Sequence, residues 1–388
     1  MQLLINFSDD LGNVFVFDGK KLQINKYYLN KEYLKNLEKS TYTAYEEKKN
    51  EPSGVINDKG VCYMNALLQC FYHCPPLKEG FIQLNDSYLG TLSKGFKHLV
   101  LELDKGNLYA AKQFKKAMFE VDNSFSSNGG KDSKDLAILM LCEMHYELKG
   151  NENSFIDNKN DTKDIFKEAF DELKNNSTII SNTFHYLVLY EKKCNNYYNQ
   201  ECKYKNEIFN IDTENILVFE LEKIYKDINF KNNLPQNPQI SIIQCFENYF
   251  QKVEIIKCPN CGTNSLNYNK FIYYLPEIFI FVMNQGKNSK YNWEIFCKKE
   301  IDMSSYYCPK YNNKEHNLKY EFICGTFINK YHTVALCQAY NNDYYLFDDS
   351  TTIKINSNEI KNSNYVFSFI DNKAPYILFY RKIEENNI

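Results

Sequence analysis

Asn57-Asp-Lys-Gly-Val-Cys62-Tyr-Met-Asn-Ala-Leu-Leu-Gln-Cys-Phe-Tyr72 is the stretch on which the reading of this chain turns. Met64, Leu67, Leu68 and Phe71 stand at i, i+3, i+4 and i+7, which is one apolar helical face. Cys62 falls at the N-terminal end of that pattern, with Gly60 just ahead of it. Unpaired backbone N–H groups and the helix dipole favour an anion there, so a thiol in this place ionises more readily, and the thiolate is the nucleophilic form. Cys62 is also one of 13 cysteines, and most cysteines are small buried hydrophobes. A nucleophile needs a base, a group that orients the base and a donor for the oxyanion, and these must come from elsewhere in the chain.

Six histidines are available as base: His73, His98, His145, His185, His316 and His332. His73 lies on the helix that Cys62 starts, roughly 16 Å further along its axis, and is out of reach. His98 and His145 sit within helical patterns. His332 differs, because it opens the apolar strand pattern Thr333–Tyr340, and the next strand ends Tyr344-Tyr-Leu-Phe-Asp348-Asp349-Ser350. A histidine at the start of one strand and an aspartate at the end of its neighbour can face each other across a hairpin. That suits an imidazole held in one tautomer by a carboxylate.

Working outward, residues 1–24 read as a hairpin and Lys31–Lys49 as a charged helix. From Gly54 to Lys149 the pattern is helical, with Leu92–Leu103, Ala110–Val121 and Asp135–Leu148 as amphipathic helices, and Asn151–Asp164 reads as a solvated loop. From about Thr178 the pattern changes to strands: Thr183–Tyr190, Ile216–Leu221, Val253–Lys257, Phe271–Tyr274, Ile278–Met283, Tyr320–Cys324, Val334–Tyr340, Tyr344–Phe347 and Tyr376–Tyr380. Helices first and strands later mean an α+β protein rather than alternating βα units.

The net charge of −3 over 388 residues, with acids and bases mixed, speaks against a nucleic-acid or anionic-membrane partner. The N-terminus lacks the basic start and apolar run of a signal peptide, and no stretch approaches the ~18 apolar residues of a membrane span. A cytosolic or nuclear protein with reduced cysteines is expected. Cysteine pairs are then metal ligands or core residues before they are disulfides. Cys258-Pro-Asn-Cys261-Gly262 has the spacing of half a tetrahedral zinc site. Cys194 and Cys202, seven residues apart in the intervening count, are the candidates for the other half.

The stretch around Cys62 resembles the cysteine box of the ubiquitin-specific proteases, which runs G-L-x-N-x-G-N-T-C-Y-M-N-[SA]-x-L-Q. Tyr320-Glu-Phe, His332, Leu346-Phe-Asp-Asp-Ser350 and Pro375-Tyr-Ile-Leu-Phe-Tyr380 are similar to that family's histidine box, F-D-D segment and terminal strand, in the same order. Leu275-Pro276-Glu-Ile-Phe-Ile-Phe281 resembles its L-P strand, and Asp132–Leu136 with His145 its Q-D-A helix. The resemblance covers residues 54–382. It implies a papain-like α+β fold with a thumb (54–165), fingers (178–270) and a palm, preceded by an N-terminal extension (1–50). It implies a thiol-dependent deubiquitinase that cleaves after the C-terminal glycine of ubiquitin, with no catalytic cofactor. Cys62 would be the nucleophile, His332 the general base, Asp348 its orienter, Asn57 the oxyanion donor and Asp349 a support for the site. Cys194, Cys202, Cys258 and Cys261 would hold one structural zinc in the fingers. The expected partners are ubiquitin and ubiquitinated proteins, and the expected state is a monomer.

The chain departs from the family pattern in places. Lys59-Gly60-Val61 replaces Gly-Asn-Thr, and Tyr331-His332-Thr333 replaces Gly-His-Tyr after a shortened loop. That altered loop favours one alternative, a catalytically silent ubiquitin-binding scaffold, and a second, a protease for another ubiquitin-like modifier, also stays open.

Overall fold

The computed structural model describes residues 52–58, 60–126, 132–149, 165–195, 202, 208–229, 233–286, 291–308, 318–355, 365–366, 370 and 372–383, with three short strands nearer the N-terminus. The helix that begins at Cys62 runs to Tyr72. Its predicted apolar face is fully inside: Met64, Leu67, Leu68 and Phe71 have no exposed surface, each contributing roughly 1.5–3 kcal/mol of burial. Phe71 meets Phe184 and Phe379 edge-on at 5.8 and 5.4 Å, tying the helix to its neighbours on both sides. Around it lie helices Pro75–Gln83, Thr91–Asp104, Lys112–Val121 and Ser133–Lys149. The Thr91–Asp104 helix starts after Gly90, which offers no side chain to its free N–H groups. The carboxylate of Glu147 supplies the cap from another helix, accepting from the Leu92 and Ser93 N–H groups at 2.9 and 2.7 Å. This is the thumb.

The palm is an eight-stranded sheet, in the order Thr351–Ile355, Tyr344–Asp348, Thr333–Gln338, Lys319–Ile328, Ala374–Lys382, Ile278–Asn284 and Leu217–Glu220, with Glu300–Asp302 added beside Lys319–Ile328. Neighbours are antiparallel except Leu217–Glu220, which runs parallel to Ile278–Asn284. Along Ile278–Asn284, Ile278, Ile280 and Val282 face the thumb core. Phe279, Phe281 and Met283 face a second core with Trp293, Phe322 and Tyr380. A strand covered on both faces reads as an unbroken apolar run, as this one does. Between helix and sheet, the sulfurs of Cys70, Cys324 and Cys337 lie within 4.8 Å of one another and are wholly buried. The Cys74 and Cys324 thiols both donate to the Cys70 carbonyl, at 3.3 and 3.4 Å, so these cysteines pack as small hydrophobes with their S–H groups satisfied.

The fingers are a four-stranded antiparallel sheet in the order Ile208–Glu214, Tyr186–Cys194, Asn264–Tyr274, Glu254–Lys257.

Several elements differ from the sequence reading. Thr183 and Phe184 close a short helix, Ile179–Phe184, whose start is fixed by a reciprocal Thr178–Ser181 capping box, and the strand begins only at Tyr186. Leu221 opens a helix, Leu221–Asn229, rather than ending a strand. The helix Ile165–Asn175 was not anticipated, although Phe166, Ala169, Phe170 and Leu173 have helical spacing and pack together on the fingers. The strand Ile208–Glu214 was also missed, because alternate positions carry Asn and Asp. At the N-terminus Leu3–Ile5 pairs with Phe15–Phe17, and Leu22–Ile24 adds a third strand. The expected Lys31–Lys49 helix, the Asn151–Asp164 loop and His316 lie outside the described residues. Among the described residues no helix is long and apolar enough to cross a membrane.

Candidate active site

Cys62 is the first residue of its helix and is partly exposed. The chain reaches it through a tight approach in which Gly60 takes a left-handed φ of 68°, a conformation that costs glycine least. The helix cap, Val61, has no polar side chain. Its N–H donates to Asn57 Oδ1 at 2.9 Å. With the oxygen so engaged, the Asn57 amide nitrogen points the other way and donates to Asp349 Oδ2 at 3.0 Å. The second carboxylate oxygen of Asp349 accepts from Asn65 Nδ2 at 2.8 Å, one turn into the helix. Asp349 is thus gripped by two amides, one before and one after Cys62.

The backbone is knotted to the same place. The Val55 N–H donates to the Asp349 carbonyl at 2.8 Å. Gly54 is required for this crossing, because a Cβ there would sit 2.3 Å from the Asp349 carbonyl oxygen. Asp349 itself occupies a left-handed φ of 51° in the two-residue turn between Tyr344–Asp348 and Thr351–Ile355, a conformation that aspartate tolerates better than most residues.

His332 is placed by a different device. Strands Lys319–Ile328 and Thr333–Gln338 pair as far as Ile328 and Thr333, leaving a four-residue turn, 329–332. Asn329 organises it: its Oδ1 accepts from the Tyr331 and His332 N–H groups at 3.0 Å each, and its own N–H donates to the His332 carbonyl at 3.1 Å. The His332 ring then donates from Nε2 to Asp348 Oδ1 at 2.5 Å. A carboxylate only accepts, so the proton is fixed on Nε2 and Nδ1 carries the lone pair. His332, Asp348 and Asp349 lie with their polar atoms within 4.8 Å of one another. Tyr331, beside His332, turns its ring outward and is 84% exposed.

The two consecutive acids therefore divide their work. Asp348 holds the imidazole, and Asp349 holds the lead-in to Cys62. All five residues singled out in the sequence fall in this region: Asn57 and Cys62 at the head of the helix, His332, Asp348 and Asp349 at the ends of the palm strands. The helix packs on Thr333–Gln338, the strand that His332 precedes. Asn65 and Asn329 were not assigned roles from sequence. Asn65 lies three residues into the helix, where a polar side chain on a buried turn (2% exposed) is itself a signal.

Three of the other histidines, His73, His145 and His185, sit in structural contacts. His73 is buried and its Nδ1 contacts the Gln69 carbonyl at 2.8 Å, and burial pushes its pKa down to about 4. His145 meets Thr178 Oγ1 at 2.8 Å and lies 4.9 Å from the His185 ring. Burial lowers both, His185 to about 4.

At the far end of the fingers the four predicted cysteines converge. Cys194 and Cys261 sulfurs are 3.7 Å apart, Cys202 and Cys258 are 3.6 Å apart, and all four lie within 4.8 Å of one another. A tetrahedral zinc with sulfurs at 2.3 Å separates those sulfurs by about 3.8 Å, so the donor set fits the metal.

Residues 53–380 match the family described as ubiquitin carboxyl-terminal hydrolase. Similar curated proteins include ubiquitin carboxyl-terminal hydrolase 12 of Saccharomyces cerevisiae, 26% identical over 129 residues, which are 28% of this chain and 10% of that protein. Ubiquitin carboxyl-terminal hydrolase 15 of Homo sapiens is 27% identical over 175 residues, 37% of this chain and 18% of that protein. The probable ubiquitin carboxyl-terminal hydrolase 8 of Schizosaccharomyces pombe is 20% identical over 344 residues, 85% of this chain and 64% of that protein. The matched segments thus span a tenth to under two thirds of these relatives. Among solved structures, the SAGA Ubp8/Sgf11/Sus1/Sgf73 module bound to ubiquitin aldehyde is similar over 97% of this chain and 80% of that chain, with a TM-score of 0.61 at 16% identity. At that identity the likeness is one of fold: papain-like α+β.

Proposed function

Because the chain belongs to the ubiquitin carboxyl-terminal hydrolase family, we propose that it is a thiol-dependent deubiquitinase acting through Cys62. The observation that carries the reading is the His332 Nε2–Asp348 bond, which leaves Nδ1 as the free basic nitrogen of the ring. Nδ1 takes the Cys62 thiol proton, and the thiolate attacks the carbonyl carbon of the C-terminal glycine of ubiquitin, whose bond to the lysine nitrogen is the one to be broken. The oxyanion that forms accepts from the second N–H of the Asn57 amide and from backbone N–H at the head of the helix. Collapse of this intermediate passes the proton from His332 to the departing lysine amine and leaves a thioester on Cys62. Water, deprotonated by His332, then releases ubiquitin as the free carboxylate and restores the thiol.

Four fingertip thiolates leave no open position on a zinc ion, so zinc held by Cys194, Cys202, Cys258 and Cys261 would be structural and would clamp the ends of the finger strands. Ubiquitin and ubiquitinated proteins are the proposed partners. The deciding experiment is labelling with ubiquitin bearing an electrophile at its C-terminus. One covalent adduct at Cys62, lost in Cys62→Ala, is expected. A folded protein that binds ubiquitin and yet forms no adduct would instead be a silent scaffold, and an adduct only with another modifier's probe would change the substrate.

A further inference from the structure

Asn57 is tied by its own side chain to Val61 and Asp349, but those bonds fix only the amide. The backbone around it is held from the thumb by one buried cation. Lys115, on the helix Lys112–Val121, has a side chain only 7% exposed. Its ammonium donates to the Ile56 carbonyl at 3.2 Å and to Asp58 Oδ1 at 2.9 Å. These are the residues on either side of Asn57. The Ile56 N–H donates in turn to the Leu108 carbonyl at 2.9 Å, so residue 56 is gripped by both of its backbone polar groups, from the helix Lys112–Val121 and from the segment that precedes it.

Lysine is among the residues least often buried, and then usually paired. This one is paired, but with a carboxylate that is 57% exposed and not itself in need of a partner. With its acid more than half in water, the pair's attraction is screened and does not account for burying the lysine. What the contact does achieve is geometric: one rigidly seated charge spans the peptide units that flank a single side chain.

We propose that Lys115 is a positioning residue for the oxyanion donor, fixing Asn57 by clamping Ile56 and Asp58. The inference rests on the deubiquitinase reading above. It makes a specific kinetic claim. An oxyanion donor acts only as charge develops, so losing its alignment lowers kcat and leaves KM nearly unchanged. Alkylation of the Cys62 thiolate by iodoacetamide forms no oxyanion and does not respond.

The test measures hydrolysis of a ubiquitin–fluorophore amide and the rate of Cys62 alkylation in the full chain. Lys115→Met is expected to lower kcat by about tenfold to a hundredfold, the size of effect that a misplacement of about 1 Å produces, with KM and alkylation unchanged. Lys115→Arg, which keeps the charge and the donors, restores kcat to within a few fold. In an Asn57→Ala background Lys115→Met causes no further loss, because its target is gone. Should Lys115→Met not fold, Asp58→Ala at the exposed end of the contact breaks one of the two bonds, with a severalfold loss of kcat that also vanishes beside Asn57→Ala. Wild-type kcat in the folded variant, or an equal further loss in the Asn57→Ala background, overturns the proposal. Absence of Cys62-dependent hydrolysis in the unaltered chain overturns the deubiquitinase reading and this inference with it.

Discussion

The cleft and the fingertip both gather polar side chains from distant parts of the chain, and they do so by opposite means. In the cleft, Asn57, Asn65, His332, Asp348 and Asp349 satisfy one another by hydrogen bonds at 2.5–3.0 Å, so the arrangement is complete before any ligand arrives. At the fingertip, Cys194, Cys202, Cys258 and Cys261 offer four like groups that cannot satisfy one another as thiolates and are mostly buried. A metal ion at their centre would supply the bonds that they cannot give one another. A site that will transform a ligand is preorganised by the protein alone, whereas a site that only holds the fold together can leave its last bond to a metal. Changes in the cleft should therefore alter turnover with little loss of stability, and changes at the fingertip the reverse.

The most severe break of that contrast on the cleft side is Asp348→Asn. An amide can turn its NH₂ toward the ring and stabilise the wrong tautomer, and kcat should fall about 10³-fold or more with the unfolding temperature within a few degrees of wild type. Asn57→Ala removes the oxyanion donor and should cost about 10²–10³ in kcat at nearly constant KM, measured on the same fluorogenic substrate. Asp349→Ala sharpens the comparison, because it frees both amides without touching base or nucleophile. A loss of about tenfold in kcat is expected, and a larger loss than for Asn57→Ala would show that Asp349 meets substrate directly.

On the fingertip side, purified protein should carry one zinc per chain by elemental analysis. Cys258→Ser should abolish the metal and lower thermal stability, with kcat changed less than threefold; active protein that contains no metal would end the zinc reading. The smallest effect concerns His73, which belongs to neither site. Its pKa is depressed from 6.5 to about 4 in the fold, so the unfolded chain binds the proton first, and stability is lost as pH falls from about 6.5 towards 4. The loss from this group is on the order of 3 kcal/mol. His73→Phe should flatten that part of the acid limb in a denaturation series.

The catalytic groups were legible because their chemistry needs fixed residue types at fixed element ends: a thiol at a helix head, an imidazole and an acid across a hairpin. The supports were not. Asn65 reads as one more residue in a helical run, and nothing local says that its partner is Asp349, on a turn nearly three hundred positions later. Asn329 acts through its own backbone neighbourhood and could have been found as an Asx turn. The central strands of the palm were read from their apolar runs, but Thr351–Ile355 at the palm edge, Glu300–Asp302 and, in the finger sheet, Ile208–Glu214 escaped because polar residues break their pattern. Where burial on both faces forced an unambiguous pattern, sequence was sufficient, and where a strand is half wet it was not.

The close crossing of Gly54 over Asp349 has a consequence for how the protein is made. Synthesis delivers the thumb first, with Cys62 already on it, while the turn that seats its lead-in is still unmade by the ribosome. Until Asp349 emerges, Val55 lacks its backbone acceptor, and Asn57 and Asn65 lack the carboxylate that aligns them. On the proposed function, activity would be withheld from the nascent chain until that turn is made.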